Sequence, residues 1–374
     1  MKGKARISLT MLLAVILVIL AACGSGSNGR KSDPVPAVKE TIEPTATIEP
    51  TAEPTPTPLP YTAPLTGMGS DKELSARPMA VLINNLAPAR PQSGLTEADI
   101  IWEVLAEGGI TRLIAIFQST EKQDFTIGPI RSNRPYLIDI AESYGSVIAH
   151  AGGSPEAYGI LQNQRKPYLD EITNAGTYFW RSKDRKAPHN LYSNLEQLRT
   201  GADKKGYSTD VELVKYTFLP EGAVSETDAM ASEEAQEISI KFLLKSYKVG
   251  YKYDESTDVY IRSINDEPHI DMNNDEPLAA TNLIVFQTAH KTLDDVGRLA
   301  IDLKSGGEAL LLQNGKVMEA EWVRAADGMI RFHRDGKELA LMPGKTYIHV
   351  VPNTSSLRDY VTWESAGDSG KAAE

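Results

Sequence analysis

The chain has 374 residues, a formal net charge of −11 and a single cysteine, Cys23. One cysteine excludes a disulfide framework and a four-cysteine zinc site. The acidic balance argues against general nucleic-acid binding, which needs clustered lysine and arginine, but it does not exclude a local basic pocket.

Residues 1–22 have the pattern of a secretory signal peptide. Basic residues in the first six positions precede an apolar run of about 14 residues, which small residues close. This run is shorter than the roughly 20 residues that span a bilayer comfortably. The order Leu-Ala-Ala-Cys resembles the bacterial lipoprotein signal, which implies cleavage before Cys23, acylation of its thiol (with palmitate, for example) and anchoring at a membrane. An uncleaved anchor with a spare thiol is the alternative, and both place the bulk of the protein outside the cytoplasm.

Residues 23–63 are predicted to form a disordered tether rich in threonine and proline. The sequence Thr-Ile-Glu-Pro-Thr-Ala occurs twice in tandem, beginning at Thr41 and Thr47. Such a composition buries too little apolar surface to offset the entropy of ordering the chain. Proline-rich spacers extend by about 3.1 Å per residue, so about 40 residues reach on the order of 100 Å.

Residues 64–205 predict an N-terminal domain of the α/β or α+β class with a mixed sheet. Strands are expected in "PMAVLINN", at 101–106, at 111–118 and in "SVIAHAGG". The stretch "TEADIIWEVLAEGG" could also be drawn as a helix. Helix starts are predicted at Pro135, at Ser154 with Pro155, and at Ser193, whose Glu196 would complete a capping box.

The remaining chain predicts a smaller, β-rich C-terminal domain at 236–364, after a linker or boundary segment at 206–235. The pairs Asn314-Gly315 and Asp335-Gly336 each lie between apolar runs, which is typical of tight hairpins. "TNLIVFQTAH" and "KTYIHVVP" are further strand candidates. Residues 365–374 are predicted to be a disordered tail.

Two loops that each follow a predicted strand suggest an anion-binding site. "TIGPIRSNRPY" carries arginines suited to bidentate contacts, and "HAGGSPEAYG" combines glycines with a helix start. Loops at the same ends of neighbouring strands converge, which would make a cationic pocket in an acidic protein. A solvated loop and a simple glycine turn with a capping serine are the plainer alternatives. The candidate anion-binding residues are Arg112, Arg131, Ser132, Arg134, His150, Gly152, Gly153, Ser154, Arg181 and His189.

Signals for catalysis are weak. A triad of Ser154, His150 and Asp139 is conceivable, but no Gly-x-Ser-x-Gly elbow occurs. The acidic stretch 265–277 lacks the spacing of a calcium loop and is expected to be an exposed loop. Asp99, just before the first strand of the predicted hairpin, is the candidate metal ligand.

Several stretches in order resemble the YerB-type bacterial lipoproteins, which combine an N-terminal domain of unknown function with a separate C-terminal domain. They are the leader, the tether, "RPMAVLINNLAPARPQSGLTEADIIWEVLAEGGITRLIAIF", "IGPIRSNRPYLIDIAESYGSVIAHAGGSP" and "APHNLY". The resemblance covers about residues 64–352. It implies a protein anchored by lipid on the outer face of the cytoplasmic membrane, and it implies no activity.

A weaker resemblance of the N-terminal domain is to the LytR-CpsA-Psr phosphotransferases, which transfer wall polymers from polyprenyl-pyrophosphate carriers. Asp99, the "GPIR" loop with Arg131, and "HAGGSPEA" follow the family's order, whereas Asn133 and Arg134 replace an expected acidic residue. The resemblance implies an anion pocket more than it implies phosphotransfer.

Two functional hypotheses follow. The favoured one is a non-enzymatic envelope lipoprotein that binds a wall polymer bearing phosphate or carboxylate groups, or an envelope protein, and no nucleic acid. The alternative is a magnesium-assisted phosphotransferase or hydrolase acting on a polymer linked to polyprenyl pyrophosphate. There Asp99 would hold the metal while Arg131 and Arg134 clamp the diphosphate. No nucleophile–base pair supports the alternative.

Overall fold

The structure, a computed structural model, describes residues 59–209 and 211–365. The predicted leader, Cys23, nearly all of the tether and the tail lie outside these residues. The strands, in chain order, are β1 (Tyr61–Thr62), β2 (Gly69–Ser70), β3 (Met79–Asn84), β4 (Ile100–Leu105), β5 (Thr111–Phe117), β6 (Val147–His150), β7 (Tyr168–Asp170), β8 (Trp180–Arg181), β9 (Leu191–Tyr192), β10 (Glu233–Glu234), β11 (Glu237–Lys241), β12 (Lys248–Asp254), β13 (Val259–Ile264), β14 (Glu267–Pro268), β15 (Ala279–Ala280), β16 (Asn282–Thr288), β17 (His290–Thr292), β18 (Leu299–Ile301), β19 (Gly307–Gln313), β20 (Lys316–Arg324), β21 (Ile330–Arg334), β22 (Lys337–Glu338), β23 (Thr346–Pro352) and β24 (Val361–Glu364). The α-helices are α1 (Pro135–Ser143), α2 (Pro155–Asn163), α3 (Leu195–Lys204), α4 (Glu226–Ala229) and α5 (Leu357–Tyr360).

A 12-stranded mixed sheet, which we call the main sheet, runs through both halves of the chain. Its strand order is β22-β21-β20-β19-β16-β23-β4-β5-β3-β6-β7, and β10 pairs with β20. β23 is parallel to β16 on one side and to β4 on the other. The strands that follow the expected boundary at 206–235 therefore continue the sheet of the N-terminal half.

Six strands in the part of the main sheet from β16 to β7 point in one direction. β4 and β3 are both antiparallel to β5, and β6 is parallel to β3 and β7. These six strands end along one side of the sheet, which we call the carboxyl edge; they are β3, β4, β6, β7, β16 and β23. Ligand sites of α/β sheets gather where parallel strands end, so this edge is the first place to look for a site.

The two faces of the main sheet carry different layers. Val81 and Ile83 pack in one core with residues of α3 and of a second, six-stranded sheet of order β14-β13-β12-β11-β24, in which β15 pairs with β13. Ala80 and Leu82 point to the other face and pack with residues of α1 and α2. None of the helices in the described residues is long and apolar enough to cross a bilayer. The mixed sheet with helices, followed by a β-rich C-terminal half, is as predicted.

Most predicted elements are present. The stretch "TEADIIWEVLAEGG" is not one helix: all six β4 side chains are buried, and they alternate between the two faces. α3 begins one residue later than predicted, because the Asn194 side chain caps it and the Ser193 hydroxyl donates to the Tyr178 carbonyl. Residues 265–277 are not simply exposed, since Asp271 is buried and accepts from the amide of Gly94.

Candidate anion-binding site at the carboxyl edge

The two candidate loops meet at the carboxyl edge. The amide of Ala151 donates to the Arg131 carbonyl at 3.1 Å, and the amide of Asn133 donates to the Gly152 carbonyl at 2.8 Å. The amide of Ser154 completes the contact by donating to the Asn133 carbonyl at 3.2 Å. The loops therefore meet, but not because both follow strands that end at this edge: β5 is antiparallel to β6, and the segment after β5 runs back to the end of β3, where the amide of Arg131 donates to the Leu82 carbonyl. These backbone hydrogen bonds fix the arginines of the first loop against the start of α2.

Three arginines gather at the convergence. Arg112 lies in β5 and is buried, and its Nη1 donates to the Ser132 carbonyl at 2.6 Å. Burial, reinforced by the charge of Arg134, lowers the pKa of Arg112 to about 10. Arg134 forms an ion pair with Glu107, in the turn between β4 and β5. Burial and the charge of Arg134 also lower the pKa of Arg131, whose buried Nε has no hydrogen-bond partner among the described residues.

His189 joins this group through Asn84, which lies opposite Arg112 in the register of β3 and β5. The Asn84 Nδ2 lies 2.8 Å from the His189 Nδ1, so the amide donates and the ring nitrogen accepts. A neutral ring then carries its proton at Nε2, where it is a donor. Partial burial and the charges of Arg131 and Arg185 lower the pKa of His189, which keeps the ring neutral at pH 7. We call Arg112, Arg131, Arg134 and His189 the arginine cluster.

The glycine loop is already occupied by a carboxylate of the chain itself. Asp170, at the end of β7, accepts from the amide of Gly152 at 2.7 Å and from the hydroxyls of Tyr158 and Thr173, each at 2.8 Å. The His150 Nδ1 lies 2.9 Å from the Gly152 carbonyl and 3.5 Å from the Asp170 carboxylate. Asp170 therefore fills the position at which the sequence pattern predicts an external anion.

The other loop candidates also have partners within the protein. The Ser154 hydroxyl caps α2 by accepting from the amide of Ala157. Arg181 is exposed and contacts Glu171 and Asn190. The Ser154 hydroxyl and the Arg181 guanidinium group are therefore already engaged within the protein.

Asp99 lies at the opposite, amino edge of the sheet. It precedes β4, and its carboxylate accepts from the amides of Gln118 and Ser119 and from the Ser119 hydroxyl. In the register of β4 and β5, Val104 lies opposite Arg112. Asp99 lies five residues before Val104, and five residues of extended strand span about 17 Å, so Asp99 is about that far from the arginine cluster. The fold does not bring Asp99 into one cleft with the arginines.

A groove of about 1080 Å³ opens at this amino edge, with Asp99, Ser119 and Lys345 in its wall. It lies away from the arginine cluster. The described residues contain no group of three or more histidine, aspartate or glutamate side chains placed to hold a metal ion.

A buried polar network, which no sequence pattern indicates, joins the main sheet to the second sheet. Glu103 of β4 accepts from the Arg262 Nη2 of β13 at 2.6 Å, and both side chains are almost fully buried. The Arg262 Nε donates to the His269 Nδ1 at 2.9 Å, and its Nη1 donates to the Tyr251 hydroxyl at 2.6 Å. His349 of β23 lies 3.3 Å from the Glu103 carboxylate. We call these five residues the junction network.

The junction network is expected to make the protein less stable in acid. Burial alone would raise the pKa of Glu103, but the charge of Arg262 holds it well below the usual range. Burial lowers the pKa of His269 and His349, and the charge of Arg262 adds to this for both. Groups with a depressed folded-state pKa stabilise the protein above their unfolded pKa and lose this contribution as the pH falls.

The free energy of unfolding should therefore decrease below about pH 6.5, where histidines of the unfolded chain take up protons, and again below about pH 4.5, where glutamates do. Urea denaturation across this pH range measures the decrease. His269→Asn, which removes one titrating group, should flatten the first part of the curve. Stability that rises on acidification would contradict the assignment.

Comparison with known proteins identifies relatives of this chain. Residues 65–208 match the N-terminal domain, and residues 238–348 the C-terminal domain, of a protein of unknown function, DUF3048. The chain is 37% identical over 294 residues to YerB of Bacillus subtilis (strain 168), described as a candidate lipoprotein, across 78% of this chain and 86% of the relative. A crystal structure of the YerB protein from Bacillus subtilis matches with a TM-score of 0.73 and 35% identity, over 82% of this chain and 100% of the crystallised chain.

Proposed function

Because this chain belongs to the DUF3048 family of YerB-type lipoproteins, we propose that it is a lipid-anchored cell-envelope protein that binds an anionic group at its arginine cluster. Cys23 carries the anchor, and the folded part lies on the outer face of the cytoplasmic membrane. The leader pattern and the description of the relative as a candidate lipoprotein support this location. The ligand is a phosphate or carboxylate group of an envelope component.

The unbalanced charge of the cluster is the observation that carries this proposal. Glu107 pairs with Arg134, whereas among the described residues no carboxylate lies within ion-pairing distance of Arg112 or Arg131. Two guanidinium charges are thus held together at one edge of an acidic protein. Holding like charges together in a partly buried place is unfavourable unless an anion compensates them.

Unsatisfied donors support the same conclusion. The Arg131 Nε and the Asn133 Nδ2 are both buried without a hydrogen-bond partner among the described residues. A buried donor that lacks an acceptor costs about 1–3 kcal/mol, and more when it is charged. Phosphate and carboxylate oxygens are suitable acceptors, because they receive two parallel hydrogen bonds from one guanidinium group.

The magnesium-assisted transferase has no observation of its own in its favour. It required Asp99 beside Arg131 and Arg134, and the fold sets Asp99 at the other edge of the sheet. Binding without chemistry is therefore the function that the arrangement supports best.

Calorimetric titration of the full chain with inorganic pyrophosphate, and separately with citrate, tests the site. Arg131→Ala should weaken pyrophosphate binding about tenfold or more, since a hydrogen bond to a charged group contributes about 1.5–3 kcal/mol. Arg131→Lys should recover part of the loss, because it restores the charge but not the bidentate geometry. The citrate titration separates a site for phosphate from one that also accepts carboxylate.

Arg358→Ala is the matched control. Arg358 is exposed, pairs with Glu233 and Glu319 away from the cluster, and should leave pyrophosphate binding within about twofold of the wild type. A wild-type chain that binds neither anion, or equal binding by wild type and Arg131→Ala, would overturn the proposal.

A further inference from the structure

Four exposed aliphatic side chains lie on loops that approach the edge of the arginine cluster. They lie on three loops that are far apart in the sequence, and the relative exposure of each residue is between 52% and 73%. Exposed aliphatic residues that gather at one place commonly mark a surface that meets a membrane or a partner. These residues are Ile172, Leu243, Leu293 and Val296.

Side chains of these loops pack closely against glycines near the cluster. The distance from the position where a glycine would carry a Cβ atom to the nearest neighbouring atom measures how close they are. A Cβ atom built on Gly152 would lie 3.2 Å from the Ile172 Cδ1 and 3.9 Å from the Ser132 Cβ. In the turn that holds Glu107, a Cβ on Gly109 would lie 3.3 Å from the Leu243 Cβ. Ile172 thus lies beside the loop that carries Arg131 and Arg134, and Leu243 lies beside the turn that holds Glu107, the partner of Arg134.

The hairpin β17–β18 brings the other two aliphatic residues. A Cβ on Gly297, at its tip, would lie 3.9 Å from the amide nitrogen of Gly108 in the same turn. Arg298 fixes this tip by pairing with Glu156 in the first turn of α2 and with Asp294 in the hairpin. The C-terminal half therefore contributes Leu293 and Val296 to the edge on which the N-terminal half carries its arginines.

Exposed lysines on neighbouring segments extend the positive charge. Lys183 and Lys186 lie in the segment between β8 and β9, which also holds His189, and Lys245 follows Leu243. A basic residue near an anionic bilayer contributes about 1 kcal/mol of attraction, and aliphatic side chains gain by entering the boundary between headgroups and acyl chains. The carboxyl edge combines both features, although the whole chain has a net charge of −11.

We propose that the carboxyl edge docks on an anionic phospholipid bilayer, with a lipid phosphate in the arginine cluster and the four aliphatic side chains in the interface. This inference rests on the proposed anion site and names its ligand as a phospholipid headgroup. Aliphatic residues on separate loop tips suit a fluid bilayer, which can surround each tip. The positive charge of the edge is complementary to the negative surface of such a membrane.

The predicted tether is long enough for this orientation. The described chain begins at Leu59, which lines the groove at the amino edge together with Asp99. If the carboxyl edge is to face the membrane that holds the lipid of Cys23, the spacer has to pass the height of the sheet, which is about 20 Å for a six-residue strand. A spacer of about 40 residues reaches on the order of 100 Å, so the anchored chain can turn its carboxyl edge to its own membrane.

Hydrogen exchange measured by mass spectrometry on the full-length anchored chain tests the docking. Vesicles of phosphatidylcholine alone are compared with vesicles that also contain phosphatidylglycerol. We expect deuterium uptake in peptides covering 170–186 and 290–301 to fall about twofold or more only in the anionic vesicles. Peptides around the turn at Asp335-Gly336 serve as the internal control and should not change.

The double variant Leu293→Ser/Val296→Ser should lose this protection and still bind pyrophosphate as the wild type does. Val224→Ser, at an equally exposed aliphatic residue next to the amino-edge groove, is the matched control and should keep the protection. Equal uptake in both kinds of vesicle, or protection that survives either the double variant or Arg131→Ala, would overturn the docking.

The pyrophosphate titration and the hydrogen exchange on vesicles together distinguish an error in the docking proposal from an error in the anion site. If the wild-type chain binds pyrophosphate in solution but gains no protection on vesicles, the anion site is supported and docking on the membrane is contradicted. If the wild-type chain binds no pyrophosphate, the anion site is contradicted. Protection of such a chain on anionic vesicles would show that the arginine cluster does not hold the lipid phosphate, which contradicts the docking as proposed.

Discussion

Expressed separately, residues 59–209 and residues 211–365 are each expected to remain unfolded or to aggregate, although each contains a family-defined domain. β23 pairs with β4 on one side and with β16 on the other. Without β23, the first segment would expose β4, whose six side chains are all buried in the intact protein. Each large apolar side chain returned to water loses about 1.5–3 kcal/mol, and an apolar unpaired edge promotes aggregation.

Circular dichroism and calorimetry measure this outcome. The intact chain should unfold in one cooperative transition, since one sheet and both cores include residues from the two halves. Mixing the two segments during refolding is the control, because it restores β23 to β4. A cooperative thermal transition in either isolated segment would show that the halves are independent folding units.

Arg262→Met is expected to destabilise the protein by about 3–5 kcal/mol, because it leaves the Glu103 carboxylate buried without its cation. The charges are almost fully buried, with Arg262 also bound to Tyr251 and His269. Guanidinium denaturation at pH 7 measures the loss. Arg358→Ala, which breaks an exposed pair, should cost at most about 1 kcal/mol.

The double variant Glu103→Leu/Arg262→Met separates a buried charge from a missing contact. Removing both charges should restore part of the stability that Arg262→Met loses, since apolar replacements of buried pairs are often close to neutral. A double variant as unstable as the sum of its single variants would show instead that the network stabilises by its hydrogen bonds. A single Arg262→Met variant within about 1 kcal/mol of the wild type would contradict the network's role altogether.

Local sequence patterns were sufficient to predict most elements of the fold. The hairpin turns have Asn314 and Asp335 with φ of 49° and 51°, each followed by a glycine of positive φ, as their residue types require. The start of α3 was missed because Ser193 and Asn194 are both good caps, and the hydroxyl of Ser193 is used by Tyr178. That choice depends on a residue 15 positions away, which no local pattern contains.

The site was only partly predictable for a related reason. The loops of Arg131 and Gly152 meet, but the expected reason was wrong, because β5 ends at the amino edge and the segment after it runs back to the end of β3. Asp170 was overlooked because nothing near it in the sequence shows that its carboxylate reaches the Gly152 amide. Glu103 was likewise hidden in the apolar strand "IIWEVL", and its partner Arg262 lies 159 residues further on. Buried polar residues have partners set by tertiary structure, so composition and periodicity do not reveal them.

The central place of β23 also bears on when the protein can fold. Residues 346–352 are synthesised after every other strand of the main sheet, yet this strand lies in the middle of that sheet. Until it emerges, the strands on its two sides cannot be joined, and long-range parallel pairing is slow. The order of the strands thus delays completion of the main sheet until its last strand has been synthesised.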